Sequence, residues 1–135
     1  MNSDKALQKF GLPTLAEYRD EIRQLLAEEI EREKRGESGE EMLRTLCVQL
    51  FSLGNVEDIL LIWEAKRSSF DAACSLDIHF ICGAGLAATR EYLANSSAPS
   101  ASAALEYLTE CVEAGNFADW IPTETIEQYR NYYEL

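Results

Sequence analysis

Residues 53–95, LGNVEDILLIWEAKRSSFDAACSLDIHFICGAGLAATREYLAN, hold the densest apolar runs of the chain, one of its two tryptophans, its only histidine and two of its four cysteines. Gly54 closes one helix and Asn55 opens another, with Glu57 and Asp58 in a first turn where acids suit the positive end of the helix dipole. Ile59 to Trp63 is apolar on every side, as a buried helix or a buried strand would be, and the neighbouring caps decide for a helix. After a polar stretch around Phe70, Ala72 and Ala73, Asp77 is the expected N-cap of one long helix over 78–93. Ile78, Ile81, Cys82, Gly85, Leu86, Thr89 and Leu93 would form its apolar stripe. Gly83 and Gly85 each cost a helix roughly 1 kcal/mol against alanine. Close backbone approach to the Trp63 helix is the expected compensation.

Outward from this block the helical spacing continues. Residues 1–13 predict a short lead-in with about one helical turn, stopped by Gly11 and Pro13. Thr14 with Glu17 has the pattern of a capping box, ahead of Leu15, Tyr18, Ile22, Leu25, Leu26 and Ile30 at helical intervals. Ser38 with Glu41 repeats the pattern ahead of Met42, Leu43, Leu46, Cys47, Leu50, Phe51 and Leu53, a face wide enough to be buried on more than one side. Residues 95–102, NSSAPSAS, predict a polar loop. Ala104, Leu105, Leu108, Cys111 and Val112 then make a helix ending at Gly115. Pro122 and a Thr123 cap begin a last helix with Ile126, Tyr129, Arg130 and Tyr133 on one face. GNVEDI at 54–59 and GNFADW at 115–120 echo each other, although a solenoid needs three or more such units. The expected fold is all-α: one domain over 1–135, a compact bundle of five to seven helices with helix pairs stacked in a solenoid-like manner. The Trp63 helix and the 78–93 helix are expected at its centre.

Composition narrows the function. The chain has 135 residues, is 47% hydrophobic and carries a formal charge of −12, so it can bury a core without staples, and it repels nucleic acid and anionic membranes. With no signal-like start and no apolar run of spanning length, a cytoplasmic location is expected. Cys47, Cys74, Cys82 and Cys111 lack the dense spacing of a disulfide framework and are expected as reduced, buried thiols.

Four constellations could carry chemistry. Gly83-Ala84-Gly85-Leu86-Ala87-Ala88 satisfies the GxGxxG/A dinucleotide pattern if 78–82 is a strand, but no parallel strand with a terminal acid follows it. Asp71, Asp77, His79 and Cys82 could form a ligand, metal or catalytic site, with Cys74 nearby; no second cysteine pair completes a zinc motif, and a lone histidine among apolar residues is usually structural. The neighbours Glu57 and Asp58, and Glu40 and Glu41, point apart on a helix, and capping explains them. The fourth is charge geography. Residues 96–135 hold seven acids against one base, Arg130, whereas residues 1–36 hold eight acids and seven bases. Phe117, Trp120, Tyr129, Tyr132 and Tyr133 lie in that acidic third, and aromatic anchors among acids suit a basic protein partner. Its bland counterpart is a solvated helix face with core aromatics behind it.

The block LGNVEDILLIWEAK, followed by SFDAACSLD and CGAGLAATREYL, resembles a set of small uncharacterised bacterial proteins in which a GN/GD hinge, an LLIWxAK helix, an FD turn and a GAGxxxTxxYL helix occur in that order. The resemblance covers 53–93 and, more loosely, the ALEYL, Cys111 and AGNFADW segments. It names no activity, but implies that Trp63, Lys66, Phe70, Asp71, Asp77, Gly83, Gly85, Thr89 and Tyr92 are family-defining. In style the chain is also similar to immunity proteins of bacterial toxin systems, which neutralise basic toxin domains. The expectation is a non-enzymatic acidic module, without a cofactor or bound metal, that meets a basic protein through Glu106, Glu110, Glu113, Asp119, Trp120 and Tyr132. The rival is an enzyme or a small-ligand or metal-binding domain centred on Asp71, Asp77, His79 and Cys82.

Overall fold

The computed structural model describes residues 1–37 and 39–135, Glu40 by its backbone only. The fold is all-α, with eight α-helices, one more than the expected range, and no strand among the described residues. They are α1 (Ser3–Phe10), α2 (Arg19–Lys34), α3 (Glu40–Leu53), α4 (Ile59–Lys66), α5 (Phe70–Ser75), α6 (Leu86–Asn95), α7 (Ala101–Glu113) and α8 (Pro122–Tyr132). Short 3-10 segments, Ala16–Tyr18, Val56–Asp58 and Ile78–Cys82, lead into or link them.

The centre is α3. Its residues 42–51 are buried apart from Arg44, and α1, α2, α4, α5, α8 and the Ile78–Cys82 segment all pack on it. The wide apolar face of this helix thus meets neighbours all round, and the expected centre at the Trp63 helix moves one helix earlier. α4 does pack on Ile78–Cys82, and α6 pairs with α7 on the outer side of α4. Two buried polar residues of α3 fasten the chain ends. Gln49 Nε2 donates to the carbonyls of Ala6 and Gly11, both at 3.1 Å. The Thr45 hydroxyl lies 2.6 Å from that of Ser3 and 2.8 Å from that of Tyr133. Buried polar groups need such partners, and their geometry fixes how α1 and α8 dock.

Several expected boundaries shift. The lead-in is a full helix, α1, capped by Asn2. Thr14 does not cap α2: its hydroxyl turns back to the Gly11 carbonyl at 2.8 Å, and the helix enters through the 3-10 turn after Leu15. The expected Ser38 cap lies outside the described residues. The polar linker is shorter than 95–102, because Asn95 ends α6 and Ala101 begins α7. Thr123 sits inside α8, whose start is secured by Glu124 accepting from the Ile121 amide at 3.1 Å. Ser69 caps α5 through the Ala72 amide at 2.9 Å, which orders the stretch whose periodicity is weakest. Cys47 and Cys82 are buried and Cys111 partly so, but Cys74 is exposed on α5, and all four thiols are free.

The largest correction is at 78–93. Asp77 does act as an N-cap, accepting from the His79 amide at 3.0 Å, yet what it caps is the 3-10 segment Ile78–Cys82. The chain then breaks, and α6 starts at Leu86. Gly85 has φ +95°, a region that side chains disfavour, and a Cβ there would meet nothing within 4 Å. Gly83 is the converse: its backbone is ordinary, but a Cβ would fall 2.2 Å from the Phe51 carbonyl oxygen and 3.3 Å from Gly54 Cα. The close approach is therefore real, but its partner is the end of α3 and not the Trp63 helix.

Candidate functional site

Glu106, Glu110 and Glu113 project from α7 at intervals of four and three, so they stand on one face. All three are exposed, as is Asp119 in the turn after the helix. The opposite face buries Ala101, Ala104 and Leu108, which explains the outward display. Several acids elsewhere have a cation: Glu21 has Lys9, Glu31 and Glu64 share Lys34, Glu37 has Arg35, and Glu41 has Arg44. Among the described residues none of Glu106, Glu110, Glu113 and Asp119 is in an ion pair. Arg130, the one base in this third of the chain, donates to the Leu12 carbonyl and so faces the turn after α1. The negative charge there is left to solvent.

The aromatic residues behave otherwise than as free anchors. Phe117 is buried, and Trp120 is half-buried, its ring 5.4 Å from Phe117, 5.0 Å from His79 and 6.3 Å from Phe51. The Trp120 indole N–H donates to Thr125 at 2.9 Å. Tyr129 and Tyr133 are half-buried, and Tyr132, though exposed, holds Arg44 and Glu41 of α3 through its hydroxyl. Their position against α3 and the Ile78–Cys82 segment turns most of these rings into core. Besides Tyr132, exposed large apolar side chains include Ile121 beside Trp120 at 58% exposure, Tyr107 on the flank of α7 at 37%, and Phe70 at the start of α5 at 82%.

Of the rival set, the structure joins two members. His79 Nδ1 lies 2.5 Å from Asp77 Oδ1, while His79 Nε2 lies 2.8 Å from the Asn116 backbone carbonyl. Both ring nitrogens thus face acceptors, an arrangement that fits the imidazolium. Burial opposes the charge on each partner, but the bonds and charges they exchange outweigh it: His79 is raised above its ordinary pKa and Asp77 is held below the usual carboxylate range. The ring also packs on Phe117 at 4.2 Å. Cys82 lies fully buried, and burial pushes its thiol up to about 12, which leaves it inert as a nucleophile near neutral pH. Asp71 is exposed on α5. Among the described residues no three His, Cys, Asp or Glu side chains are gathered for a metal. The GxGxxA run fares similarly, because Ile78–Cys82 precedes it as a 3-10 segment, where dinucleotide binding needs a strand.

Two buried charged residues make contacts that no local sequence pattern marks. Asp58, only 1% exposed, receives Arg19 through both carboxylate oxygens, at 2.8 and 3.0 Å, and Arg23 as well. Its place in a first turn suggested dipole capping; the two arginines come from α2, far away in sequence. Lys66 is buried and donates to the carbonyls of Ala73 and Leu76 at 2.6 and 2.5 Å, closing the end of α5. Burial lowers its pKa, against the pull of Asp77. These contacts give packing reasons for Lys66 and Asp77, as close approach does for Gly83, whereas Phe70 and Asp71 face solvent. Two open grooves flank the 96–100 linker. One, of about 610 Å³, includes Val56, Glu91 and Tyr92; the other, of about 530 Å³, includes Arg23, Leu60, Trp63 and Arg67.

No helix is long and apolar enough, among the described residues, to cross a membrane. The chain matches no family model, no curated protein and no solved structure.

Proposed function

We propose that this protein is a non-enzymatic binding module whose acidic face on α7 and the following turn docks a basic protein, in the manner of immunity proteins that neutralise cationic toxin domains. The single observation behind this reading is the contrast in charge pairing. On α2 to α4 Glu21, Glu29, Glu31, Glu41 and Glu64 each have a lysine or arginine partner, while Glu106, Glu110, Glu113 and Asp119 are exposed and are in no ion pair among the described residues. Carboxylates in that state repel one another and add nothing to packing; a cationic surface removes the repulsion and is steered toward them. Ile121 and Tyr107 offer apolar area at the border of the face, the kind of contact that slows dissociation once charge has brought two surfaces together.

The test is comparative capture from an extract of the native cell. The wild-type protein and the variant Glu106→Gln, Glu110→Gln, Glu113→Gln, Asp119→Asn serve as baits, with bound proteins quantified by mass spectrometry. The reading expects a protein of net positive charge on the wild type and at least about tenfold less of it on the variant. Equal recovery on both baits, or enrichment only of acidic proteins, overturns it.

A further inference from the structure

The turn that follows α7 meets the Ile78–Cys82 segment at the His79 ring. It spans 114–121 and contains Asp119 at φ +56°, a left-handed conformation that a non-glycine residue holds at some cost. Inside it, Phe117 and Trp120 stack on the His79 ring at 4.2 and 5.0 Å, and the Asn116 carbonyl accepts from His79 Nε2 at 2.8 Å. On the other side of the ring Asp77 accepts from Nδ1 at 2.5 Å. A backbone carbonyl can only accept, and so can an ionised carboxylate. Two such partners require both ring nitrogens to carry hydrogen.

We propose that His79 is a proton-operated latch: as the imidazolium it pins the 114–121 turn to the Ile78–Cys82 segment, and on releasing its Nε2 proton to solvent it lets the turn go. Nδ1 keeps its hydrogen, because the bond to the Asp77 carboxylate is the stronger of the two. The Nε2 lone pair then faces the Asn116 carbonyl oxygen, and an attraction becomes a repulsion. Stacking of a cation on the Phe117 and Trp120 rings is lost in the same step.

The charged and titratable groups around the ring come from several elements. Asp77 is its direct partner, and Glu124 at the start of α8 adds a second negative charge. Lys66 of α4 acts on Asp77 from behind, Tyr129 of α8 shares the field of Asp77, and Arg44 and Glu41 of α3 lie around Tyr129. The acids outnumber the cations near the ring and favour the closed form at neutral pH, so the latch opens on the alkaline side. The proposal concerns the free protein and stands whether or not the acidic face has a partner.

His79 is the only histidine, so its ring resonances in an NMR titration of the intact protein need no assignment. The expected midpoint lies above the ordinary 6.5. Amide protection over 116–120, corrected for the intrinsic rise of exchange with pH, should fall about tenfold across that midpoint while α3 stays protected. Asp77→Asn should lower the midpoint, and His79→Gln, where it folds, should abolish the step. A midpoint at or below 6.5 in the wild type, or protection over 116–120 that does not change across it, overturns the proposal.

Discussion

Replacing Gly83 with alanine should be among the most damaging single-methyl changes available in this protein. The added Cβ would lie 2.2 Å from the Phe51 carbonyl oxygen and 3.1 Å from the carbon of that carbonyl, where real Cβ contacts do not fall below 3.0 Å. The Ile78–Cys82 segment and the end of α3 would have to part by about 0.8 Å, and both obstacles are backbone, so no side-chain rotation relieves the contact. Phe51, Phe80 and Ile81, all buried next to the contact, would lose packing as the gap opened. Overpacking of this kind costs typically 1–3 kcal/mol, and the rigid partners place Gly83→Ala at the upper end or beyond, about 3 kcal/mol or more. Gly85→Ala is the matched control. It meets nothing within 4 Å but must hold φ +95° with ψ 158°, a region taken almost only by glycine, at a strain of about 1–3 kcal/mol. Urea unfolding followed by far-UV circular dichroism measures both. A Gly83→Ala variant within about 0.5 kcal/mol of the wild type refutes the claim that this glycine exists for close approach.

Asp58→Ala removes a buried carboxylate from Arg19 and Arg23, and because both guanidiniums can turn partly to water the expected loss is about 2–3 kcal/mol, below that of a fully buried pair; a chemical-denaturation midpoint unchanged from the wild type contradicts it. Lys66→Met strands the carbonyls of Ala73 and Leu76, so α5 amides should lose hydrogen-exchange protection and global stability should drop by about 2 kcal/mol; unchanged α5 protection refutes the capping role. His79 is raised when folded, so its contribution is complete below the ordinary 6.5 and lost as pH climbs through the raised value. Asp77 is lowered, so its contribution is complete above the ordinary 3.8 and lost as pH falls through the lowered value. Stability measured against pH should therefore have a plateau between these limits that Asp77→Asn flattens, and an identical pH profile in that variant argues against the pair.

Much of the helical architecture could be read from local signals, because caps act within three residues of themselves. Asn55 and Asp77 both act as caps at the expected positions, accepting from Glu57 and His79 amides at 2.9 and 3.0 Å, although each opens a 3-10 segment first. What escaped was set by partners distant in the chain. The periodicity of Ile78, Ile81, Cys82, Leu86, Thr89 and Leu93 suits one helix, and only the carbonyl of Phe51 and the φ of Gly85 reveal the break. Asp58 looked like a dipole acid until α2 brought Arg19 and Arg23 to it. The echo between GNVEDI and GNFADW diverges for the same reason. The first leads through an Asn cap into α4, whereas the second stays a turn whose Asn116 carbonyl is bonded by His79. On the candidate surface, the outward display of Glu106, Glu110 and Glu113 followed from helical spacing, but the burial of Phe117 and much of Trp120 depends on α3 and the Ile78–Cys82 segment. Ile121, exposed beside them, carries no pattern that marks it in advance.

The most direct test of the acidic face is the rate at which the captured basic protein, once purified, associates with the wild-type chain and with the variant neutralised at Glu106, Glu110, Glu113 and Asp119. Steering by an exposed negative face predicts association that slows at least about tenfold as salt rises from roughly 0.05 M to 0.5 M, with most of that dependence absent in the variant. A rate that ignores salt, or that falls equally with salt in both proteins, contradicts it.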